Sequence, residues 1–218
     1  MDDDVAGIDQ HPVGGRQALD PGQQDGTTYA GLLDYAVPPG PTRISTTGGS
    51  VAYVEISEPC IEKLRQRGVS TTPHEKAIPD ADVVILAVPD VAIGKISDEL
   101  IPQMKSGALV MTLDPAAPLD GVIHMRKDLG YVIAHPCHPS IFNWEPTEEA
   151  FRDFYGGISA KQSIVVALMH GSEGHYKLGE EISQDMYAPI DKTHRITLEQ
   201  MAMLEPAMVE TLAQTCME

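Results

Sequence analysis

The sequence AHPCHPS, at residues 134–140, contains two histidines whose spacing could serve chemistry. His135 and His138 are three residues apart, and each precedes a proline that stiffens the backbone. Imidazoles titrate near neutral pH. These two candidate catalytic residues could therefore act as acid and base, or they could supply two metal-ligand nitrogens. We favour that interpretation over a rigid loop with structural histidines, because two other polar loops are expected beside it. Cys137 fits a packed neighbour better than a nucleophile.

A cation and a group of polar residues are further candidates. Lys161 follows two glycines in YGGISAKQS and could neutralise a carboxylate substrate, although a solvated surface lysine is an equal alternative. His194, Glu199 and Glu205 lie around the start of the last predicted helix and could bind substrate in the same cleft. Glu199 and Glu205 are six residues apart and do not share one helix face closely, so ordinary surface acids are the alternative.

Glu55 lies near the end of the first readable strand, where dinucleotide folds place an acid that binds the adenine ribose. An acid there favours NAD over NADP, because it repels a 2′-phosphate. The alternative is a surface glutamate at a strand end. A glycine-rich turn between a strand and a helix should accompany it, and Gly48 and Gly49 cannot form that turn because they directly precede the Glu55 strand. This is the main argument against nucleotide binding.

Short apolar strands alternate with amphipathic helices from Val51 onward, which predicts an α/β fold with a Rossmann-like parallel sheet. The strand predicted at 81–88 has an uninterrupted apolar run from Val83 to Val88 and is expected to lie centrally in the sheet. Polar loops (PDVAIG, DPAAP and HPCHPS) follow three of the strands, at the edge where α/β sheets bind ligands. The pattern predicts strands at 51–57, 81–88, 108–114, 131–136 and 163–169, and helices at 58–67, 93–104 and 173–186.

The chain divides into three predicted parts. Residues 1–50 contain no Lys, two Arg and seven Asp, so we expect them to be poorly ordered and the first strand and glycine-rich turn to be missing. Residues 51–193 are expected to form an NAD-binding domain. Residues 194–218, with Thr197 as N-cap, are expected to begin a helical C-terminal domain that is cut short. Its Met-rich face predicts cover by a second subunit or by more chain.

Composition excludes several classes of protein. Fifteen Lys and Arg against 32 Asp and Glu give a net charge of -17, which argues against nucleic acid and anionic membrane surfaces as partners. The sequence shows no apolar run long enough for a membrane span and no secretory signal in MDDDVAGIDQ, so we expect a cytoplasmic protein. The three cysteines are far apart, which indicates neither a disulfide framework nor a zinc site.

The chain resembles bacterial NAD-dependent dehydrogenases with a phosphogluconate-dehydrogenase-like C-terminal domain, and within them the D-apionate oxidoisomerases. It is more distantly similar to prephenate dehydrogenase. The resemblance covers about residues 51–218. It is carried by VPDVAIGK (88–95), TLDPAAP (112–118), HPCHPS (135–140), FYGGISAKQS (154–163) and THRIT (193–197).

The resemblance implies an NAD-binding Rossmann domain, a helical domain that forms a homodimer, and a role in sugar acid catabolism. It also implies oxidation of D-apionate coupled to migration of a carbon group, which gives 3-oxo-isoapionate. His135 would take the hydroxyl proton, and Lys161 or a divalent metal held by histidine and carboxylate would polarise the new carbonyl. The alternatives are another prephenate- or phosphogluconate-like dehydrogenase, or a non-catalytic Rossmann fragment.

The same resemblance implies where the cofactor would lie. Val88, Pro89 and Asp90 would pass near the ribose of NAD, and Asp114 would lie near the nicotinamide end. Together with Glu55, these residues form the predicted cofactor-binding set.

Overall fold

The computed structural model describes residues 28–33, 50–140 and 142–204. Its strands are β1 (Thr28–Leu33), β2 (Ser50–Val54), β3 (Val83–Ala87), β4 (Leu109–Thr112), β5 (Gly130–Pro136), β6 (Gln162–His170) and β7 (Ile190–Arg195). They form one sheet in the order β2-β1-β3-β4-β5-β6-β7. Strands β1 to β5 are parallel, β6 is antiparallel to β5, and β7 is parallel to β6. The predicted α/β Rossmann-like fold is confirmed.

The helices are α1 (Glu58–Gln66), α2 (His74–Ala77), α3 (Asp90–Leu100), α4 (Ala116–Leu119), α5 (Glu148–Arg152), α6 (Glu173–Met186) and α7 (residues 198–204). The predictions of α1 and α6 are confirmed. The helix predicted at 93–104 instead begins at Asp90, and a 3-10 turn at Ile101–Gln103 follows it. Pro102 explains the early end, because proline has no N–H to continue an α-helix.

The expectation that the first strand is missing is wrong. Residues Thr28–Leu33 form β1, which pairs in parallel with both β2 and β3. The sequence TYAGLL is short and isolated between segments rich in glycine, proline and acid, so its apolar pattern gave little signal. The prediction that the glycine-rich turn is also missing concerns residues outside the described ones, as does the rest of residues 1–50 apart from β1 and Ser50.

Helices cover the sheet on both faces, as the continuously apolar strands require. All five residues of β3 are buried, and this strand lies between β1 and β4. On one face α6 packs against β5, with Gly179 so close that an added Cβ would lie 2.7 Å from Cγ1 of Val132. The opposite face is covered by α2, α3, α4 and, over β5 and β6, by Met201 of α7.

The pattern did not predict β7, whose residues IDKTHR are all exposed or half-buried. An edge strand of this kind lacks the apolar alternation that identifies a strand in sequence. Arg195 ties it to α6, since its guanidinium lies 3.9 Å from the centre of the Tyr176 ring and pairs with Glu173 at 2.7 Å. Thr197 is the N-cap of α7 as predicted, because its Oγ1 accepts a hydrogen bond from the Gln200 N–H.

Candidate functional site

Five segments bring candidate side chains to one edge of the sheet, which we call the carboxyl edge. Strands β2 to β5 end there because they are parallel, and β6 begins there because it is antiparallel. Glu55 follows β2, Asp90 follows β3, Asp114 comes shortly after β4, His138 follows β5 and Lys161 precedes β6. Residues far apart in the sequence therefore lie along one edge of the sheet, where open α/β sheets bind ligands, with β1, β3, β4 and β5 between the strands of Glu55 and Lys161.

His135 is the second-last residue of β5 and is half-buried. Its Nδ1 donates a hydrogen bond to the carbonyl of Pro136 at 2.8 Å. A carbonyl can only accept, so Nδ1 carries the proton and Nε2 is the basic nitrogen of the neutral ring. The strand register aligns His135 with Val165 of β6 and Val165 with His194 of β7. These three side chains therefore form one row on one face of the sheet, with the two histidine Cα atoms about 10 Å apart.

His138 has the same tautomer but an unusual backbone. Its Nδ1 donates to the carbonyl of Tyr155 at 3.1 Å, and its ring meets the Tyr155 ring edge to face at 5.7 Å between centroids. Its φ of 61° lies in the left-handed region that residues other than glycine seldom adopt. Strained backbone of this kind is concentrated at functional sites. In the neutral ring of each histidine, Nε2 is therefore the nitrogen that can accept a proton or bind a metal.

The loop before β6 presents Lys161, which is exposed. This loop turns around Asp153, a buried residue whose Oδ2 accepts hydrogen bonds from the N–H groups of Ile158, Ser159 and Ala160 at 3.0, 2.9 and 3.1 Å. The carboxylate therefore fixes the three residues that immediately precede Lys161.

Two acids at the carboxyl edge bend back onto their own backbone. Oε1 of Glu55 accepts from the N–H groups of Ile56 and Ser57 at 2.7 and 2.8 Å. Oδ1 of Asp114 accepts from the N–H of Ala116 at 2.8 Å, next to the start of α4. Each carboxylate is consequently held at the end of its strand in a defined orientation.

The segment after β3 leads directly into α3. Val88 is half-buried, Pro89 is the N-cap, and Asp90 is the first helical residue. The amino end of this 11-residue helix faces the carboxyl edge, so its backbone N–H groups and dipole favour negative charge there.

The predicted substrate-binding residues are only partly described. His194 is exposed and shares the row of His135. The pKa of Glu199 is lowered because its carboxylate binds its own backbone N–H and the Thr197 side chain at the start of α7. That arrangement gives Glu199 a structural role in the helix end, and substrate binding by this residue stays a prediction. Glu205 lies outside the described residues.

The sequence did not point to Asp153 or Tyr155. The Tyr155 carbonyl binds His138, and the Asp153 carboxylate binds the loop that precedes Lys161. The run DFYGG does signal a turn, because an acid precedes two glycines, but sequence alone does not say which backbone groups a carboxylate will bind.

Cys137 is exposed, and partial burial of its sulfur raises the pKa of its thiol, which disfavours the thiolate that a nucleophile needs.

Two features are absent from the part of the chain that the structure describes. Within residues 28–33, 50–140 and 142–204, His, Cys, Asp and Glu side chains do not form a group of three or more suited to a metal ion. In the same residues, every helix is too short or too polar to cross a bilayer.

The chain is similar to characterised proteins over most of its length. Residues 143–218 match the family described as phosphogluconate dehydrogenase (decarboxylating), C-terminal. D-apionate oxidoisomerase from Cupriavidus necator is 48% identical over 169 residues, which are 77% of this chain and 61% of that protein. D-apionate oxidoisomerase from Rhizobium rhizogenes is 47% identical, over 74% of this chain and 59% of that protein. The chain thus spans about three fifths of the length of these curated relatives.

A crystal structure from Cupriavidus necator supports the same grouping. It is described as a semialdehyde dehydrogenase NAD-binding protein in complex with calcium and NAD, and it has a TM-score of 0.79 and 42% identity. The match covers 88% of this chain and 70% of that one. The sheet and its carboxyl edge place the chain in the class of Rossmann-like α/β proteins, to which this NAD-binding neighbour also belongs. Within that class, the chain belongs to the family of dehydrogenases that includes the D-apionate oxidoisomerases, as the sequence resemblance predicted.

Proposed function

We propose that this protein is an NAD-dependent oxidoreductase acting on a branched sugar acid, with D-apionate as substrate. The observation that carries the proposal is the carboxyl edge, where His135 and His138, each bonded through Nδ1 to a carbonyl oxygen, occupy the same edge of one sheet as a lysine and strand-end acids. The identity to D-apionate oxidoisomerases supports the choice of substrate. The product would be 3-oxo-isoapionate, formed by oxidation coupled to migration of a carbon group.

The residues present fit a dinucleotide. Glu55 has a carboxylate that is held after β2 by two backbone N–H groups, which suits an acceptor for ribose hydroxyls. Val88, Pro89 and Asp90 pass from β3 into the amino end of α3, next to the path of the sugar and phosphates. Asp114 would lie at the nicotinamide end. When bound, NAD supplies the carbon that accepts a hydride.

The chain's own side chains supply the proton transfer and the charge. Nε2 of His135 would take the proton from the substrate hydroxyl, and the hydride would leave from the carbon that bears this hydroxyl to NAD, which leaves a carbonyl. Lys161 pairs with the substrate carboxylate or polarises the new carbonyl during the migration, and Nε2 of His138 provides a second proton acceptor. The described residues form no three-ligand metal group, so we assign no step to a divalent metal.

Calorimetric titration of the full chain with NAD, and with NADP as control, tests the cofactor. Micromolar binding of NAD and weaker binding of NADP is the expected result. NADH formation with D-apionate, followed by absorbance, then tests the reaction, with 6-phosphogluconate and prephenate as matched alternative substrates. Failure to bind NAD, or turnover of either alternative in preference to D-apionate, would contradict the proposal.

A homodimer is part of the same proposal. Six large apolar side chains between residues 142 and 158 are exposed, with Phe142 at 90% and Trp144 at 93%. Exposed apolar residues in such numbers favour contact with another surface, either of a second copy or of further chain. Sedimentation of the full chain would measure its mass in solution.

A cytoplasmic location stays a prediction.

A further inference from the structure

Asp153 connects two of the proposed catalytic groups, although it contacts neither of them directly. Its carboxylate binds the N–H groups of residues 158–160, and its own carbonyl accepts from the N–H of Gly156 at 3.3 Å. Residues 153–160 are thereby closed into a compact loop around one buried side chain. Tyr155, whose carbonyl accepts from His138, lies inside this loop, and Lys161 is the next residue after it.

The carboxylate is suited to this task because it accepts hydrogen bonds and does not donate them. One oxygen serves three consecutive backbone N–H groups within 3.1 Å, an arrangement that neither a hydroxyl nor a solvent-exposed acid would maintain. Asp153 is only 6% exposed, so water does not replace these bonds readily. The loop also turns through Gly156 and Gly157, both with positive φ, which lets it close tightly.

We propose that Asp153 is a positioning residue, which sets the tautomer of His138 and the place of Lys161 by closing the loop that carries Tyr155. The link to catalysis rests on the proposed function. The link to His138 does not, because it follows from a chain of hydrogen bonds within this protein. Loss of the carboxylate opens the loop, the Tyr155 carbonyl moves away from Nδ1, and the proton of the neutral ring moves to Nε2.

Nitrogen-15 NMR of the histidine side chains tests the first link, with His138→Gln to assign the resonance. Asp153→Ala removes the acceptor. Asp153→Asn keeps an acceptor oxygen in place and loses the charge, whereas Asp153→Glu keeps the charge and moves the oxygen. We expect the wild-type Nδ1–H tautomer to persist in the Asn variant and to be replaced mostly by Nε2–H in the Ala and Glu variants.

Ser172→Ala is the matched control. Ser172 caps α6 at the opposite edge of the sheet, where its Oγ accepts from the His175 N–H, so its loss destabilises the fold without touching the loop. His138 should keep its tautomer in this variant. An unchanged tautomer in both Asp153→Ala and Asp153→Glu, or its loss in Asp153→Asn with retention in Asp153→Glu, would overturn the proposal. If Asp153→Ala does not fold, the Asn and Glu pair still decides.

Binding of D-apionate in the presence of NAD tests the second link. Asp153→Glu and Lys161→Ala should each weaken binding by about tenfold, and the double variant should lose little more. Additive losses would show that Asp153 does not act through Lys161. A wild-type chain that binds no D-apionate would contradict the proposed function alone, and the NMR result would still decide the role of Asp153.

Discussion

Replacing Gly156 with alanine should strain the loop around Asp153 in two ways. The residue has a φ of 75°, and a Cβ there would lie 2.5 Å from Nε2 of Gln162. Gln162 is buried, and its Nε2 donates to the Tyr187 carbonyl at 2.9 Å, so the side chain cannot move aside without losing that bond. The left-handed backbone costs about 1–2 kcal/mol for alanine, and the loss of a buried hydrogen bond costs about 1–3 kcal/mol more.

Gly68 provides the matched control for the backbone contribution. Its φ is 76°, and no atom lies within 4 Å of an added Cβ, so Gly68→Ala should show the backbone cost alone. Alanine also lowers the conformational entropy of the unfolded chain, which offsets about 0.4–1 kcal/mol of the destabilisation in both variants. We therefore expect Gly156→Ala to lower the free energy of unfolding by about 2 kcal/mol more than Gly68→Ala, as measured by urea denaturation. A difference smaller than about 0.5 kcal/mol would refute the reasoning about Gln162.

Three further substitutions test other parts of the structure. His135→Asn should abolish turnover and leave NAD affinity nearly unchanged, and an equal loss of both would mean that the segment is structural. Glu55→Ser should weaken NAD more than NADP in calorimetry, so an unchanged preference would remove Glu55 from the ribose site. The hydrogen bond from Arg126 lowers the pKa of Asp128 below 3.8, so the pair stabilises the fold above about pH 4, and this contribution is lost as the pH falls through the lowered pKa. Thermal melts should show Asp128→Asn less stable than wild type at neutral pH, with the difference closing in acid.

The sequence predicted the buried strands better than the exposed ones. The strands β3, β4 and β5 have continuous apolar runs because helices cover both of their faces, and such runs are visible in one sequence. The strand β7 has no such run, since it lies at the sheet edge and is largely exposed. The short segment β1 forms a strand through its pairing with β2 and β3, and local composition cannot show such pairing.

The candidate site was predicted as a set of residue types but not as an arrangement. Polar loops after strands indicated the carboxyl edge, and the structure places Glu55, Asp114 and Lys161 along it. The tautomers of His135 and His138 depend on single carbonyl oxygens, one of them 17 residues away in sequence. Spacing along the chain carries no information about such contacts.

The row formed by His135, Val165 and His194 separates the predicted residues into two groups. His138 and Lys161 lie on loops beyond the sheet, where Asp153 and Tyr155 determine their positions. His135 and His194 lie within strands, on the face that α7 covers through Met201, and the register of three strands determines their positions. Loop residues can change their relative positions at small cost, whereas a strand cannot shift by one residue without turning every side chain to the other face. The strand register therefore fixes the position of His135 in the proposed site. The loop at residues 153–160 depends on Asp153 to keep its position relative to His135.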